Sequence, residues 1–236
     1  MNILSCDTAT EVMHLCYARL EEGEKPYFDV EAARLGNQHS ELLMPRILEL
    51  CRRNSIKIRD LELLVCTNGP GSFTGLRIAM STLKGLSLAS GIPMVSVPTL
   101  EAYHACVSYF PGPILVVMDA KKKRFYAALF IDGQRVTEDL DATSEQIQAL
   151  LENHSNVLVA GSDASLLLER LPQLGHKLVV PGQQFLNLSL TLCSLGLAKY
   201  RKEGADLPTQ GPVYVRKSDA EIALLETIRS LEETHD

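Results

Sequence analysis

Nothing in this sequence is both long enough and apolar enough to span a bilayer. The longest nearly uncharged stretch, Leu61 to Ile78, is interrupted by Glu62 and Arg77 and carries three glycines and a proline, a pattern of strand, loop and helix start. No basic segment precedes the apolar residues of Met1-Asn2-Ile3-Leu4-Ser5-Cys6, and Asp7 falls where a secretion signal would still be apolar, so a cytoplasmic protein is expected. The six cysteines, at 6, 16, 51, 66, 106 and 193, form no Cys-x-x-Cys pair and lie in apolar runs, so reduced core thiols fit better than disulfides or zinc. Positive charge is not in excess either: 23 Lys and Arg stand against 29 Asp and Glu, for a net charge of −6 and a pI near 5.6. Affinity for duplexes or tRNA is largely phosphate neutralisation. An acidic chain whose one basic cluster is Lys121-Lys122-Lys123-Arg124 is therefore a poor nucleic-acid binder alone, and any RNA role needs a partner.

What is present is an ordinary globular composition, 46% hydrophobic and 22% charged over 236 residues, without low-complexity runs. That is room for one large or two compact domains, with a buried sheet. Ile3 to Cys6, Val12 to Leu20 and Tyr27 to Arg34 read as three antiparallel strands, the first two joined by the turn Asp7-Thr8-Ala9-Thr10. From Ser40 the period becomes helical, with Leu43, Ile47 and Leu50 on one stripe. Pro45 removes the bond to the Glu41 carbonyl, so the regular part of this helix is expected one turn late. A strand at Leu61 to Thr67, a helix at Thr74 to Ala89 ended by Gly91 and a strand at Met94 to Val97 follow. Helices between these strands imply parallel pairing, and the order is β-β-β-α-β-α-β.

Pro111-Gly112-Pro113 reads as a boundary between lobes 1–110 and 111–236. Beyond it the opening pattern repeats: Ile114 to Asp119 is an apolar strand closed by aspartate, followed by a polar turn and a second strand, Phe125 to Ile131. Helices at Ser144 to Glu152 and Ala164 to Leu171, the latter capped by Gly161-Ser162-Asp163, flank a buried strand at Val157 to Ala160. Helices at Asn187 to Lys202 and Asp219 to Glu233 complete the chain, and the C-terminal one can return to the first lobe.

The strongest local signal is Asn68-Gly69-Pro70-Gly71-Ser72-Phe73-Thr74-Gly75-Leu76-Arg77, between a buried strand and a helix. Its glycines permit close backbone approach, and Ser72 or Thr74 can cap the helix, whose free N–H groups favour an anion. The lysine of a Walker loop is missing. A tight structural crossing and a phosphate cradle both remain open, with the crossing favoured.

This segment, running on as GPGSFTGLRIAMSTLKGLSLASGIP, resembles the bacterial TsaB (YeaZ) family, together with SCDTATE at the start, HSELLMPRILEL, MDAKKKRFYAALF and PVYVR. The match runs in order over most of the chain. The resemblance implies a two-lobed actin-like ATPase and ribonuclease-H-like α/β fold, built on a duplicated β-β-β-α-β-α-β unit. It further implies a subunit of the machinery that installs N6-threonylcarbamoyl on adenosine at position 37 of tRNA. Implied partners are the catalytic paralogue TsaD, a TsaE-type ATPase in a larger complex, a second copy when alone, and tRNA only through the complex.

TsaD is a metal-dependent transferase whose H-x-x-x-H pair falls where this chain has Thr99 and Tyr103, beside His104. A threonine and a phenol do not replace two imidazoles. His39 reads as a cap or contact residue, and His14, His154, His176 and His235 stand apart from any triad pattern. No catalytic residue and no metal are expected. In nucleotide-binding members of the superfamily two strand hairpins hold phosphates. Here Asp7 and Thr8, with Ser72 and Thr74, are weak candidates for that role, while Asp119-Ala120-Lys121-Lys122-Lys123 lacks glycine and crowds the second position. An unused cleft is the favoured reading, with ATP or ADP at the partner interface left open. The helix from Thr74 to Ala89 carries only Arg77 and Lys84 as charges and needs cover on more than one side. Gly75, Ile78, Thr82, Gly85 and Ala89 make a smooth seam for a partner helix, joined by Leu43, Ile47 and Leu50, unless segments of the same chain fill it. The expected function is a non-catalytic support for TsaD. The alternative is a metallopeptidase-like or ATP-hydrolysing enzyme of the same superfamily.

Overall fold

The computed structural model of the chain describes residues 1–21, 23–174, 178–179 and 188–216. The first sheet has the order β3-β2-β1-β4-β5, from β1 (Asn2–Asp7), β2 (Val12–Arg19), β3 (Tyr27–Arg34), β4 (Leu63–Thr67) and β5 (Met94–Val97). β1–β2 and β2–β3 pair antiparallel, and β1–β4 and β4–β5 parallel. The second sheet runs β11-β10-β6-β7-β8, with β9 also on β7. Its strands are β6 (Ile114–Asp119), β7 (Arg124–Ile131), β8 (Gln134–Arg135), β9 (Leu140–Thr143), β10 (Val157–Ala160) and β11 (Leu178–Val179). An antiparallel β6–β7 hairpin next to a parallel β10 repeats the arrangement of β1, β2 and β4. This is the duplicated actin-like, ribonuclease-H-like architecture.

Helices fill three layers. α1 (His39–Arg53) and α2 (Phe73–Ser90) cover the outer face of the first sheet, and α4 (Ser144–Leu150) and α5 (Ala164–Arg170) that of the second. α3 (Thr99–Val107) and α6 (Leu188–Glu203) lie between the sheets. Strand side chains alternate accordingly: Ile3 points to the middle layer and Leu4 and Cys6 to α1 and α2, while Ile114, Val116 and Met118 point inward and Leu115 and Val117 outward. With both faces covered, these strands read as continuous apolar runs. One core of buried side chains therefore runs from Ile3 and Val65 through Leu100 and Leu192 to Val116 and Phe130, across both sheets.

Several boundaries differ from expectation. α1 starts at His39, ahead of Pro45, rather than one turn late. The proline forfeits one bond, whereas Leu43, Ile47 and Leu50 bury a whole stripe on the sheet. Asp163 precedes α5 but makes no cap bond, because its carboxylate is used elsewhere, as shown below. α3, β8 and β9 were not anticipated. α6 is the helix expected at Asn187 to Lys202, and the one expected at Asp219 to Glu233 lies outside the described residues.

Candidate functional site

The glycine loop and the first hairpin are one packed unit. Ser72 caps α2, its Oγ accepting from the Gly75 N–H at 3.2 Å, while its own N–H donates to the Ala9 carbonyl at 2.7 Å. Thr8 donates its hydroxyl to the Gly75 carbonyl at 2.7 Å. A Cβ on Gly75 would sit 1.9 Å from the Thr8 carbonyl oxygen, and one on Gly71 2.6 Å from Ala9 Cβ. Glycine is required here because two backbones touch. Asp7 is fully buried, with Oδ1 accepting from the Thr67 hydroxyl and, at 3.2 Å, from the Ala9 N–H, and Oδ2 without a partner. Burial raises the Asp7 carboxyl above its ordinary value, against the opposing pull of the neighbouring His14. Burial likewise lowers the His14 imidazole. The Thr8 hydroxyl and Asp7 Oδ1 are thus engaged by the fold. Thr74 is exposed, and Ser72 is exposed with its oxygen engaged. His39 is not a cap: its Nε2 donates to the Thr10 carbonyl at 2.8 Å, tying α1 to the first hairpin.

Opposite stands the second hairpin, and between them lies a cleft of about 610 Å³. Its first wall includes Thr10, Arg34, His39 and Ser72, and its second Asp119, Ala120, Lys121, Ser162, Asp163 and Arg216. The Asp163 carboxylate accepts from the Asp119 N–H at 2.9 Å and the Ser162 hydroxyl at 2.5 Å, fixing the end of β6. Against the expectation that the lysines crowd this position, Lys121 alone of the three lines the cleft. Lys121, Lys122 and Lys123 are all exposed on a turn with positive φ.

Thr99 and Tyr103, the two positions that the resemblance sets against a histidine pair, are both buried. Thr99 accepts from the Gly69 N–H at 3.2 Å and gives its own N–H to the Gly69 carbonyl at 2.7 Å. Tyr103 is buried between the lobes, and burial pushes its phenol up. His104 stacks on Phe130 with ring centroids 3.9 Å apart. Two buried neutral hydroxyls do not suit a divalent cation, and no group of three His, Cys, Asp or Glu among the described residues could hold one.

The α2 seam divides. Leu43, Ile47 and Leu50 are buried on the sheet with Met80 and Leu83, and a partner cannot reach them. Gly75 is closed by Thr8. Ile78 and Thr82 are half-buried, Gly85 and Ala89 exposed, and a Cβ on Gly85 would meet nothing within 4 Å. Leu88 at 89% and Leu48 at 50% exposure flank them. The polar strip is covered by residues 204–216, which carried no periodic signal in the sequence. Lys84 donates to the carbonyls of Pro208 and Gln210, Arg77 donates to the Tyr214 hydroxyl at 2.9 Å, and Tyr214 stacks on Phe73 at 3.9 Å. Asp206 anchors this strap, accepting from Lys199 and from the Ser96 N–H, both at 2.7 Å.

Comparison with known proteins places this geometry. The family model described as tRNA N6-adenosine threonylcarbamoyltransferase, TsaD, matches residues 33–203. The Bacillus subtilis tRNA threonylcarbamoyladenosine biosynthesis protein TsaB is 28% identical over 234 residues, 96% of this chain and 99% of its own. The Escherichia coli protein of the same name is 32% identical over 131 residues, 54% of each chain. The structure of YeaZ from Pseudomonas aeruginosa has the same fold, with a TM-score of 0.72, 20% identity and coverage of 91% of this chain and 99% of that one. The matched span takes in the glycine loop, α2, the Thr99–Tyr103 position and the second hairpin, and the chain belongs to the family so described, in its TsaB (YeaZ) branch.

Proposed function

We propose that the chain is a non-catalytic subunit in the formation of N6-threonylcarbamoyladenosine on tRNA, and that it acts by pairing with the catalytic paralogue TsaD through α2. The observation that carries this is the outer stripe of α2: Ile78, Thr82, Gly85 and Ala89 with Leu48 and Leu88 beside them, uncharged and partly bare among the described residues. Glycine and alanine there let another helix come close. The helix's two cations are turned aside to the strap, so the seam presents no charge that a partner would have to desolvate.

The non-catalytic part is supported by Thr99 and Tyr103, buried hydroxyls where two ligating imidazoles would be needed, and by the first hairpin, whose Thr8 hydroxyl and Asp7 Oδ1 are engaged within the fold. An ATP-hydrolysing or metallopeptidase-like enzyme would need those groups free. In this reading the lobe of residues 1–110 carries the partner surface. The lobe of 111–236 braces it and sends α6 back onto the first sheet. A TsaE-type ATPase joins the larger assembly, nucleotide binds at the partner interface if at all, the chain pairs with itself when TsaD is missing, and the setting is the cytoplasm.

Gly85→Leu tests the seam. Nothing lies within 4 Å of the added Cβ inside the chain, and leucine gains up to about 1 kcal/mol in helix propensity over glycine, so the thermal midpoint should hold or rise. Association with TsaD, read by size exclusion with light scattering, should be lost, whereas Gly85→Ala should pair nearly as wild type. Intact pairing by Gly85→Leu would put the partner on another face. Transfer activity by the chain alone, free of TsaD, would overturn the non-catalytic role.

A further inference from the structure

The β6–β7 turn uses a backbone that its side chains make unfavourable. The Arg124 N–H donates to the Lys121 carbonyl at 3.0 Å, closing a two-residue turn whose central residues, Lys122 and Lys123, have φ of +52° and +62°. Such mirror-image turns match the twist of antiparallel strands and are ordinarily built from Asn-Gly or Asp-Gly. Lys121 is left-handed as well, at +60°. Three successive residues with a Cβ are thus held in a disfavoured region, and all three are lysines exposed to solvent. Local strain is retained where the side chains have work to do. These lysines and Arg124 are also the one basic run in a chain of net charge −6.

The surroundings point to an extended anion. Lys121 lines the cleft beside Arg216, and across from them stand Arg34, His39 and the start of α2, whose first turn has no acidic residue. Acidic groups balance part of this charge: Asp119 pairs with Lys121 at 3.2 Å, Glu11 with Arg34 at 2.7 Å, and Asp141 with Arg124 at 2.8 Å and Arg216 at 3.9 Å. The Asp163 carboxylate is occupied by the Asp119 N–H. A nucleotide's phosphates would need converging backbone N–H groups. Here the Lys121 N–H is spent on Asp119 Oδ1 at 3.0 Å and that of Arg124 on Lys121, while the facing hairpin is packed shut. What the turn offers is exposed lysine side chains spread along a loop, which suits a chain of phosphodiesters.

We propose that Lys121, Lys122 and Lys123 form a contact for the phosphate backbone of RNA, gripping the tRNA once the chain is seated on its catalytic paralogue. This rests on the reading of the chain as a subunit for tRNA modification. To test it, a Lys121→Gln/Lys122→Gln/Lys123→Gln chain and the corresponding triple arginine chain are each mixed with wild-type TsaD, and tRNA affinity is measured across a salt series. The glutamine chain should join TsaD normally, bind tRNA about tenfold more weakly, and lower the slope of log affinity against log salt by about 2 to 3. The arginine chain should match wild type, and ATP binding by all three mixtures should be equal. Unchanged tRNA affinity and slope in the glutamine mixture, or a loss of ATP binding alone, overturns the proposal. Should wild-type chain and TsaD fail to associate, it is the reading of the chain as a TsaD subunit that falls. The same salt series on the chain alone then decides the turn: equal slopes for wild type and glutamine chains overturn it, and a shallower slope in the latter supports it.

Discussion

Between β1 and β2 the chain turns inside the protein; between β6 and β7 it turns in water. Both turns follow an apolar strand that ends in aspartate, at Asp7 and at Asp119, and both face the same cleft. In the first, Asp7 and Thr8 are fully buried, with the Thr8 hydroxyl and Asp7 Oδ1 bonded within the fold and Asp7 Oδ2 left without a partner. In the second, Lys121 to Lys123 are exposed on a left-handed turn. The difference is made by what lies opposite. Gly71 and Gly75 let the start of α2 close onto Ala9 and Thr8, whereas the short loop Gly161-Ser162-Asp163 reaches Asp119 through one carboxylate and leaves the lysines exposed to solvent. One architecture repeated twice has therefore yielded a piece of core and a charged surface. The fold by itself assigned neither role.

The largest effect should come from opening the first turn. Gly75→Ala forces a Cβ into a space 1.9 Å from the Thr8 carbonyl oxygen, a backbone atom that cannot swing aside, with Ser72 Cβ at 3.2 Å. A loss of about 3 kcal/mol or more in urea unfolding is expected, at or beyond the upper end for overpacking. Lys122→Ala on the second turn, which keeps the Cβ and the backbone, should change stability by no more than about 0.5 kcal/mol. If both changes were equally mild, the first turn would have slack enough to admit a ligand, and its buried polar groups would need another account.

Next in size is the single carboxylate that ties down the second turn. Asp163→Ala leaves the half-buried Asp119 N–H and the Ser162 hydroxyl without their acceptor, and should cost about 1 to 3 kcal/mol. Asp163→Asn should recover much of that, since an amide oxygen can accept from the Asp119 N–H.

Much of this was legible in the sequence where an element has one buried stripe or two buried faces. β1, β4, β5, β6 and β10 announce themselves as short apolar runs, and α1 and α2 by the 3.6-residue repeat of Leu43, Ile47 and Leu50 and of Leu76, Met80 and Leu83. α3 was not, because Thr99, Leu100, Ala102, Tyr103 and His104 are all buried between two sheets and no polar side remains to set a period. The strap of residues 204–216 was hidden for the opposite reason: an irregular segment has no period, and its grip on Arg77 and Lys84 lies more than 100 residues away in sequence. At the cleft, residue types suggested phosphate chemistry for Asp7 and Thr8, but only the three-dimensional structure shows that the Thr8 hydroxyl is held by Gly75 and Asp7 Oδ1 by Thr67.

A smaller effect, visible in its pH dependence, should follow from Asp7→Asn. The buried carboxyl has a raised pKa, so the folded state holds its proton longer than the unfolded chain does. The stability tied to that proton is complete below the ordinary value of 3.8 and is lost as pH rises through the folded pKa. Asp7→Asn removes the titration, so its stability should decline less than wild type over the range that starts near pH 4. The amide oxygen can still accept from Thr67 and the Ala9 N–H. A parallel decline in both proteins would mean that Asp7 stays ionised in the fold, with His14 charged beside it.

The smallest expected effect has the opposite sign. Lys122→Gly removes the Cβ that makes φ of +52° unfavourable, a relief of about 1 to 2 kcal/mol. Glycine also makes the unfolded chain more flexible, which takes back about 0.5 to 1 kcal/mol. The balance is a gain of up to about 1 kcal/mol, measurable as a small rise in the urea midpoint with no change in its slope, while Lys122→Ala should show none. A stabilising glycine at this position, set beside a ruinous alanine at Gly75, would show that the two turns are under opposite constraints: one is limited by space, and the other keeps a side chain at the expense of its backbone. If Lys122→Gly is instead destabilising by more than about 1 kcal/mol, the lysine side chain is held by the fold itself. The second turn would then be as structural as the first, and its charge would be no guide to what the cleft meets.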